Sequence, residues 1–189
     1  MTRYLAAASF LALALSASSP TTAQNRDLQF YWIDVEGGAA TLIVAPTGES
    51  LVFDTGYEEG DRDAKRIYAA AQKAGLNHID HLVISHWHGD HVGGAAALAK
   101  MIPISRFYDH GDAVDQVDKA RHDGFVTLAA GKRTILKSGD TIQLGAARID
   151  VVKSEDTLAQ PVAGGGQPNP LCQNAAQMGP AAAGFGRAV

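Results

Sequence analysis

The stretch His86-Trp87-His88-Gly89-Asp90-His91 determines how the rest of the chain is interpreted. It follows the apolar run Leu82-Val83-Ile84, which is typical of a buried strand, and it precedes Val92-Gly93-Gly94. A single histidine near the end of a strand is usually an ordinary polar residue. Three histidines and one aspartate within six residues are difficult to explain as packing, and all four are metal-ligand types. The stretch therefore predicts a metal site.

The spacing within this stretch suggests how the ligands are arranged. If the strand continues, His86 and His88 point to the same side because they lie two positions apart, and they can reach one metal together. Trp87 then faces the other way, where it can pack into the core. The glycine that follows allows a sharp turn. Asp90 and His91 begin a helix, where they can face a second metal and where an acidic residue suits the positive helix end.

The sequence H-W-H-G-D-H resembles the H-x-H-x-D-H signature of the metallo-β-lactamase superfamily. The resemblance implies an α/β fold, the four-layer αββα sandwich, with one or two metals at its edge. It also implies that His86 and His88 bind the first metal and that Asp90 and His91 bind the second. We assign Asp90 the catalytic role in addition to its role as a ligand.

The segment from Ile33 to Leu42, I-D-V-E-G-G-A-A-T-L, resembles one branch of this superfamily. That branch includes the hydrolase domain of DNA-uptake channel proteins and their exported relatives. The similarity extends from about Leu28 to Cys172, so the first half of the sandwich is clear in the sequence and the second half is largely missing. The abrupt loss of pattern after Cys172 indicates a C-terminally truncated or frame-shifted member.

The family's second half holds a bridging carboxylate and a last histidine, and this chain has no evident match for either. Its final histidine is His122, and nothing after Val152 has the pattern of a clear strand. Either His110, His122 or Asp140 substitutes for the missing ligands, or the site is incomplete. His110 is the best candidate for an additional ligand or a substrate contact, and a surface turn explains it equally well.

Asp54, in Phe53-Asp54-Thr55-Gly56, is a further candidate residue. The resemblance implies that this aspartate supports the loop that carries the ligands. The string D-T-G also occurs in aspartic proteases, where two aspartates share a proton. A single copy would require a symmetric dimer and would leave the histidine cluster unexplained. The remaining alternative is an aspartate that only forms a turn at the end of a strand.

The ligand types indicate the chemistry. Histidine and aspartate together suit zinc best, with two ions expected and with manganese and iron as alternatives. Zinc lowers the pKa of bound water to about 7, which supplies hydroxide at neutral pH. The predicted reaction is hydrolysis of an ester, lactone, amide, thioester or phosphodiester, and the substrate, small molecule or polymer, is open. The alternative is a catalytically incompetent metal-binding fragment of such a hydrolase.

Composition predicts one globular domain with an N-terminal leader. The chain has 189 residues, of which 46% are hydrophobic and 19% charged. Residues 1–23 resemble a secretory signal peptide, because Arg3 precedes a short apolar run and Ala23 ends a segment of small residues. Residues 24–160 form the predicted, incomplete metallo-β-lactamase-like domain, and residues 161–189 form a tail rich in Gly, Ala and Pro. We expect a periplasmic or secreted protein with no membrane span after signal cleavage.

Charge disfavours nucleic-acid binding without excluding it, and the cysteine content rules out an internal disulfide. The net charge is −4, and it becomes −5 when Arg3 is removed. The cations Lys119, Arg121, Lys132, Arg133 and Lys137 are scattered among acids, which predicts a solvated face and argues against nucleic-acid binding. Cys172 is the only cysteine, so no internal disulfide forms.

The predicted elements alternate in a way that suits an α/β sandwich. Asp61 is predicted to cap the first helix and Gly75 to end it, and His78 and His81 are expected to be surface or capping residues. The other predicted helices are Asp90–Lys100 and Asp115–Ala130. The predicted strands are Leu28–Ile33, Ala40–Val44, Ser50–Phe53, Leu82–Ile84, Ile104–Tyr108, Arg133–Leu136, Thr141–Leu144 and Arg148–Val152.

Overall fold

The computed structural model describes residues 27–113, 115–155 and 157–159, so the predicted signal segment and tail, with Cys172, lie outside the described residues. The strands are β1 Gln29–Trp32, β2 Thr41–Val44, β3 Ser50–Phe53, β4 Ile79–Val83, β5 Ile104–Asp109, β6 Arg133–Ile135, β7 Thr141–Leu144, β8 Ala147–Asp150, β9 Lys153–Ser154 and β10 Thr157–Leu158. The helices are α1 Arg62–Lys73, α2 Gly89–Val92, α3 Ala95–Met101 and α4 Gln116–Leu128, and a 3-10 turn covers Glu59–Asp61.

The main sheet has the strand order β1-β2-β3-β4-β5-β6. The first three strands form an antiparallel meander, and β3 to β6 are mutually parallel. Parallel neighbours require crossover connections, and here α1, the pair α2 and α3, and α4 supply them. The carboxyl ends of β3, β4, β5 and β6 therefore meet at one edge, and the residues after these strands are brought together there.

The two faces of this sheet bury different partners because side chains alternate along each strand. Val52, Leu82 and Phe107 belong to a core shared with α1, α3 and α4. Leu51 and Tyr108 belong to a second core, which the β7–β8 hairpin covers. The predicted α/β fold is confirmed. Among the described residues, the strands outside the main sheet form two separate two-stranded sheets, β7–β8 and β9–β10.

The first helix buries an apolar stripe, and its predicted N-cap residue has the predicted position but makes no capping hydrogen bond. Ala64, Ile67 and Ala71 are fully buried, as their helical spacing predicts. Asp61 occupies the N-cap position with a left-handed backbone, at φ 55°, and its side chain makes no capping hydrogen bond. Asp63 instead accepts a hydrogen bond from the Tyr57 backbone N–H at 2.8 Å. The sequence alone could not show which of the two aspartates, Asp61 or Asp63, forms a hydrogen bond at the start of the helix.

The predicted helix from Asp90 to Lys100 is in fact two short helices, α2 and α3, separated by Gly93 and Gly94. The Gly94 N–H donates to the Gly56 carbonyl at 3.2 Å, and a Cβ on Gly94 would overlap the carbonyl oxygen of Thr55. The break therefore lets the helical segment press against the loop after β3. This contact positions the histidine-rich stretch, so the interruption serves the site.

Two expectations about surface residues are also wrong. His81 lies on β4, is buried, and its Nδ1 is 3.0 Å from the Tyr108 hydroxyl, whereas His78 is exposed as expected. Burial lowers the pKa of His81, so its ring stays neutral near pH 7. Arg133 is not part of a solvated face, because its guanidinium makes two hydrogen bonds, at 2.7 and 2.8 Å, with the fully buried carboxylate of Asp109. None of the helices described is long and apolar enough to span a bilayer.

Candidate metal centre

The histidine-rich stretch lies at the carboxyl edge of the parallel strands, immediately after β4. This strand ends at Val83, so His86 and His88 occupy a loop and the expectation that the strand continues through them is wrong. The loop nevertheless brings the rings together, with centroids 4.6 Å apart for His86 and His88 and 3.9 Å apart for His86 and His91. Trp87 packs into the core as predicted, and its indole N–H donates to the Gly111 carbonyl at 3.1 Å.

Asp54, directly after β3, is the carboxylate on which this loop is built. It is 1% exposed, and its Oδ1 accepts a hydrogen bond from the Ser85 backbone N–H at 2.7 Å. Its Oδ2 accepts from the Ser85 hydroxyl at 2.7 Å and from His91 Nδ1 at 2.8 Å. The backbone of Asp54 is left-handed, with φ 60°, a conformation that persists only where its surroundings enforce it. Three charge-assisted hydrogen bonds enforce it here.

His91 is oriented by this contact. The hydrogen bond to Asp54 raises the pKa of His91 and fixes the proton on Nδ1, so Nε2 is the nitrogen left for another partner. That Nε2 lies 3.6 Å from Oδ2 of Asp90. Two ligands of one tetrahedral zinc ion are about 3.3 Å apart, because zinc–nitrogen and zinc–oxygen bonds measure about 2.0–2.1 Å. His91 and Asp90 therefore have the spacing of two ligands of a single ion.

His86 is oriented by Ser85. The Asp54 carboxylate can only accept, so the Ser85 O–H donates to it and the Ser85 oxygen is free to accept from His86 Nδ1, 3.0 Å away. His86 then also presents Nε2. Burial lowers the pKa of His86, and the neighbouring rings of His91 and His88 lower it further. A neutral imidazole is the form that binds metal, so both effects favour a ligand.

The donor types and their hydrogen bonds fit a metal, but the described residues do not form a complete ligand sphere. Within residues 27–113, 115–155 and 157–159, no three His, Cys, Asp or Glu side chains are grouped closely enough to hold an ion. The structure brings His86, His88 and His91 together, with His86 nearer to His91 than to His88, and places Asp90 beside His91. The ligand assignments that the resemblance implies stay predictions.

The proposed substitute ligands are placed differently. His110 follows β5 and is buried, so a surface turn is wrong, and neither of its ring nitrogens has a hydrogen-bond partner among the described residues. Glu155 Oε1, at 3.9 Å from His110 Nδ1, is too far for a hydrogen bond. His110 and His122 both pack against the Trp87 ring, with centroids 5.5 and 4.9 Å away. Asp140 accepts a hydrogen bond from the Lys137 N–H within its own turn.

Sequence reasoning missed two residues that contact the histidines. Ser85 directly precedes the stretch, and a hydroxyl beside a cluster of ligands is a signal that could have been used. Asp118, on α4, lies 3.6 Å from His88 Nε2 through its Oδ2. Nothing in the sequence spacing indicates that contact, because 30 residues and an intervening strand separate the two positions.

Gly38 lies where the loop after β1 contacts the histidine-rich stretch, and its substitution is expected to displace Asp90. The Ala39 N–H donates to the Asp90 carbonyl at 3.1 Å, and a Cβ on Gly38 would overlap that carbonyl oxygen. Gly38→Ala should therefore lower the free energy of unfolding by about 1–3 kcal/mol, the usual cost of overpacking. Gly124→Ala is the control, because a Cβ there meets nothing within 4 Å on α4 and should stabilise the helix. Urea unfolding of both variants measures this, and equal effects would contradict the packing argument.

Comparison with known proteins agrees with the resemblance. A family model for the metallo-β-lactamase superfamily matches residues 33–168. The chain belongs to the metallo-β-lactamase superfamily. Members of this superfamily bind metal ions, typically zinc, which supports a metal-dependent hydrolase-like protein. The number and identity of the ions, and the branch that includes DNA-uptake channel proteins, stay predictions.

Individual relatives match only part of their own length. An atrochrysone carboxyl ACP thioesterase of Cryptosporiopsis sp. is 36% identical over 96 residues, which are 50% of this chain and 29% of that protein. A metal-dependent hydrolase of Herpetosiphon aurantiacus is 27% identical over 124 residues, 61% of this chain and 49% of that protein. The crystal structure of the metallo-β-lactamase SMB-1 with mercaptoacetic acid aligns with a TM-score of 0.48 at 19% identity, over 64% of this chain and 48% of that one. The chain thus spans less than half the length of these proteins.

Proposed function

We propose that this metallo-β-lactamase-superfamily protein is a metal-dependent hydrolase that uses a metal-activated water. The observation that carries the proposal is the hydrogen-bond network of Asp54. This carboxylate orients His91 directly and His86 through Ser85, so that each ring presents the nitrogen that does not face Asp54. Buried carboxylates that hold imidazoles in this way are characteristic of metal sites, where they fix the tautomer and raise the basicity of the ligand.

The metal would be held by His86 and His88 and by Asp90 and His91, with two zinc ions proposed and manganese or iron as alternatives. When bound, such ions supply a hydroxide nucleophile and stabilise the developing oxyanion. The residues of the chain would then accept the proton that the water releases and hold the imidazoles in place. The Asp90 side chain is 27% exposed, so its carboxylate can contact solvent water and accept a proton from it. Asp54 and Ser85, being buried, would keep the imidazoles fixed while this happens.

We propose thioesters and esters as the first substrate classes to test, because the thioesterase relative matches half of this chain. The test is hydrolysis of a panel that contains a thioester, an ester, a lactone, a β-lactam and a phosphodiester. The phosphodiester arm also tests a nucleic-acid partner, which the net charge of −4 disfavours. Activity that a chelator removes and that zinc restores would support the proposal. Hydrolysis that persists in the chelator would contradict it.

A second candidate is a metal-binding protein without turnover. The observation that favours it is the absence of a group of three potential ligands among the described residues. An ion held by two protein ligands at a time is bound weakly and is poorly positioned for catalysis. The same panel separates the two candidates. Zinc binding without hydrolysis of any substrate would favour the second.

We also propose export to the periplasm or the medium, which rests on the leader-like composition of residues 1–23. The proposal is tested by the intact mass of the protein recovered from the producing cell. A mature N-terminus near Gln24 supports it, and a chain that still carries Met1 contradicts it.

A further inference from the structure

A buried carboxylate on α4 faces the one histidine of the stretch that the Asp54 network does not orient. Asp118 is 8% exposed, and its Oδ2 lies 3.6 Å from Nε2 of His88. Its Oδ1 accepts a hydrogen bond from Arg121 at 2.9 Å. The separation from His88 is longer than a direct hydrogen bond, so in this structure the two groups form an electrostatic contact.

Arg121 connects this carboxylate to the metal stretch a second time. Its guanidinium lies over Gly89, where a Cβ would be 3.1 Å from Nε and 3.2 Å from the nearest terminal nitrogen of Arg121. The glycine after His88 therefore permits α4 to approach the loop closely enough for Asp118 to face the ring. Asp118 and Arg121 of α4 thus contact His88 and Gly89 of the histidine-rich stretch.

The burial of Asp118 needs an explanation that the helix itself does not provide. The buried residues of α4 are Asp118 and Phe125, so a carboxylate occupies one of the inward positions of this helix. An ion pair with Arg121 three residues away can form equally well on an exposed surface. Burying the carboxylate costs free energy unless it meets further donors, and Nε2 of His88, 3.6 Å away, is a candidate donor among the described residues.

We propose that Asp118 is a positioning residue that holds His88 with its proton on Nε2, so that Nδ1 is the nitrogen presented to the metal. The proposal rests on the proposed function only in that it takes His88 to be a ligand. His91 and His86 have hydrogen-bonded partners at Nδ1, whereas the carboxylate that faces His88 lies 3.6 Å from its Nε2. For His88, the ring nitrogen on the side away from this carboxylate is therefore Nδ1. Asp118 would orient the ring of His88, as Asp54 orients the ring of His91 directly and that of His86 through Ser85.

The test compares Asp118→Ala with Asp123→Ala in zinc competition titrations. Asp123 lies on the same helix, and its side chain is 54% exposed and contacts Lys119 and His122. Its replacement by alanine also removes one negative charge from α4 but leaves Asp118, Arg121 and His88 unchanged. We expect zinc affinity to fall about 10- to 100-fold in Asp118→Ala, the usual effect of removing a partner of a metal-binding histidine. Asp123→Ala should bind zinc as the unaltered chain does. Equal affinity in all three proteins would overturn the proposal.

A second measurement does not depend on metal or on activity. Nitrogen-15 NMR of the metal-free protein at about pH 8, where an ordinary imidazole is neutral, reports the tautomer of each histidine. We expect His88 to carry its proton on Nε2 in the unaltered chain and to lose this preference in Asp118→Ala, whereas Asp118→Asn, which retains an acceptor oxygen, should restore it. A His88 protonated on Nδ1, or a tautomer that Asp118→Ala leaves unchanged, would overturn the proposal.

The two measurements keep this inference separate from the proposed function. A chain that binds zinc without hydrolysing any substrate would remove the proposed hydrolase, and the inference would stand if Asp118→Ala weakens zinc binding. Hydrolysis with unaltered zinc affinity in Asp118→Ala would remove the inference alone. If the chain binds no zinc, the proposed function fails, and the tautomer of His88 decides whether Asp118 positions the ring.

Discussion

Asp54→Ala is expected to lower the free energy of unfolding of the metal-free protein by about 3–5 kcal/mol, because three hydrogen bonds lose their acceptor and each unpaired buried donor costs about 1–3 kcal/mol. The variant leaves two N–H groups and one hydroxyl without their acceptor, namely those of Ser85 and of the His91 ring. Each of these would then be buried or half-buried without compensation. Urea unfolding in the presence of a chelator measures the effect, because metal binding would otherwise stabilise the folded state.

The control for this prediction is Asp61→Ala. Asp61 has nearly the same left-handed backbone as Asp54, with φ 55° against 60°, and its side chain is exposed and makes no capping hydrogen bond. Its replacement therefore costs only the strain of an alanine in that conformation, about 1–2 kcal/mol. Equal losses in the two variants would mean that the Asp54 network contributes nothing beyond the backbone. Asp54→Asn should lie between them, because asparagine tolerates this conformation but carries no charge.

Asp90→Ala is expected to reduce kcat/KM by about 10³-fold or more on whichever substrate the panel identifies. A metal ion and its bound nucleophile contribute several kcal/mol to the transition state, and each 1.36 kcal/mol corresponds to about a tenfold change in rate. The substitution retains the backbone carbonyl that accepts from Ala39, so the loop contact survives. Asp112→Ala is the matched control, because that carboxylate is 94% exposed and should change the rate less than about twofold.

An unchanged fold in Asp90→Ala is needed for this interpretation, and its free energy of unfolding in the chelator should match that of the unaltered chain. A rate within threefold of the unaltered chain would show that Asp90 has no catalytic role. A loss of rate that excess zinc repairs would assign Asp90 to metal affinity rather than to proton transfer.

The elements that the sequence predicted well are those whose signals are local. The Ser50–Phe53 and Thr141–Leu144 strands have the predicted bounds, and Gly75 has the left-handed backbone, φ 77°, that its position after α1 predicts. Each of these depends on residues adjacent in the chain, where periodicity and turn chemistry act directly.

The errors arise where a distant contact overrides a local pattern. His81 looked like a surface residue because it is polar, but β5 places the Tyr108 hydroxyl beside it. Arg133 looked like one of several scattered cations, and the parallel pairing of β5 with β6 places it beside Asp109. Asp118 faces His88 only because α4 packs against the loop that carries the histidine-rich stretch. No spacing rule within a single sequence encodes such contacts, since they depend on how the layers pack.

Metal content of the purified chain and of two histidine variants is the measurement that tests the central claim most directly. His88 lies in the histidine-rich stretch, beside His86. His78 precedes β4, is exposed and is hydrogen-bonded to Asp80. After dialysis against trace zinc, the unaltered chain and His78→Ala are expected to retain bound zinc, and His88→Ala is expected to lose it. Equal zinc content in His78→Ala and His88→Ala would contradict the claim that this cluster is the metal centre.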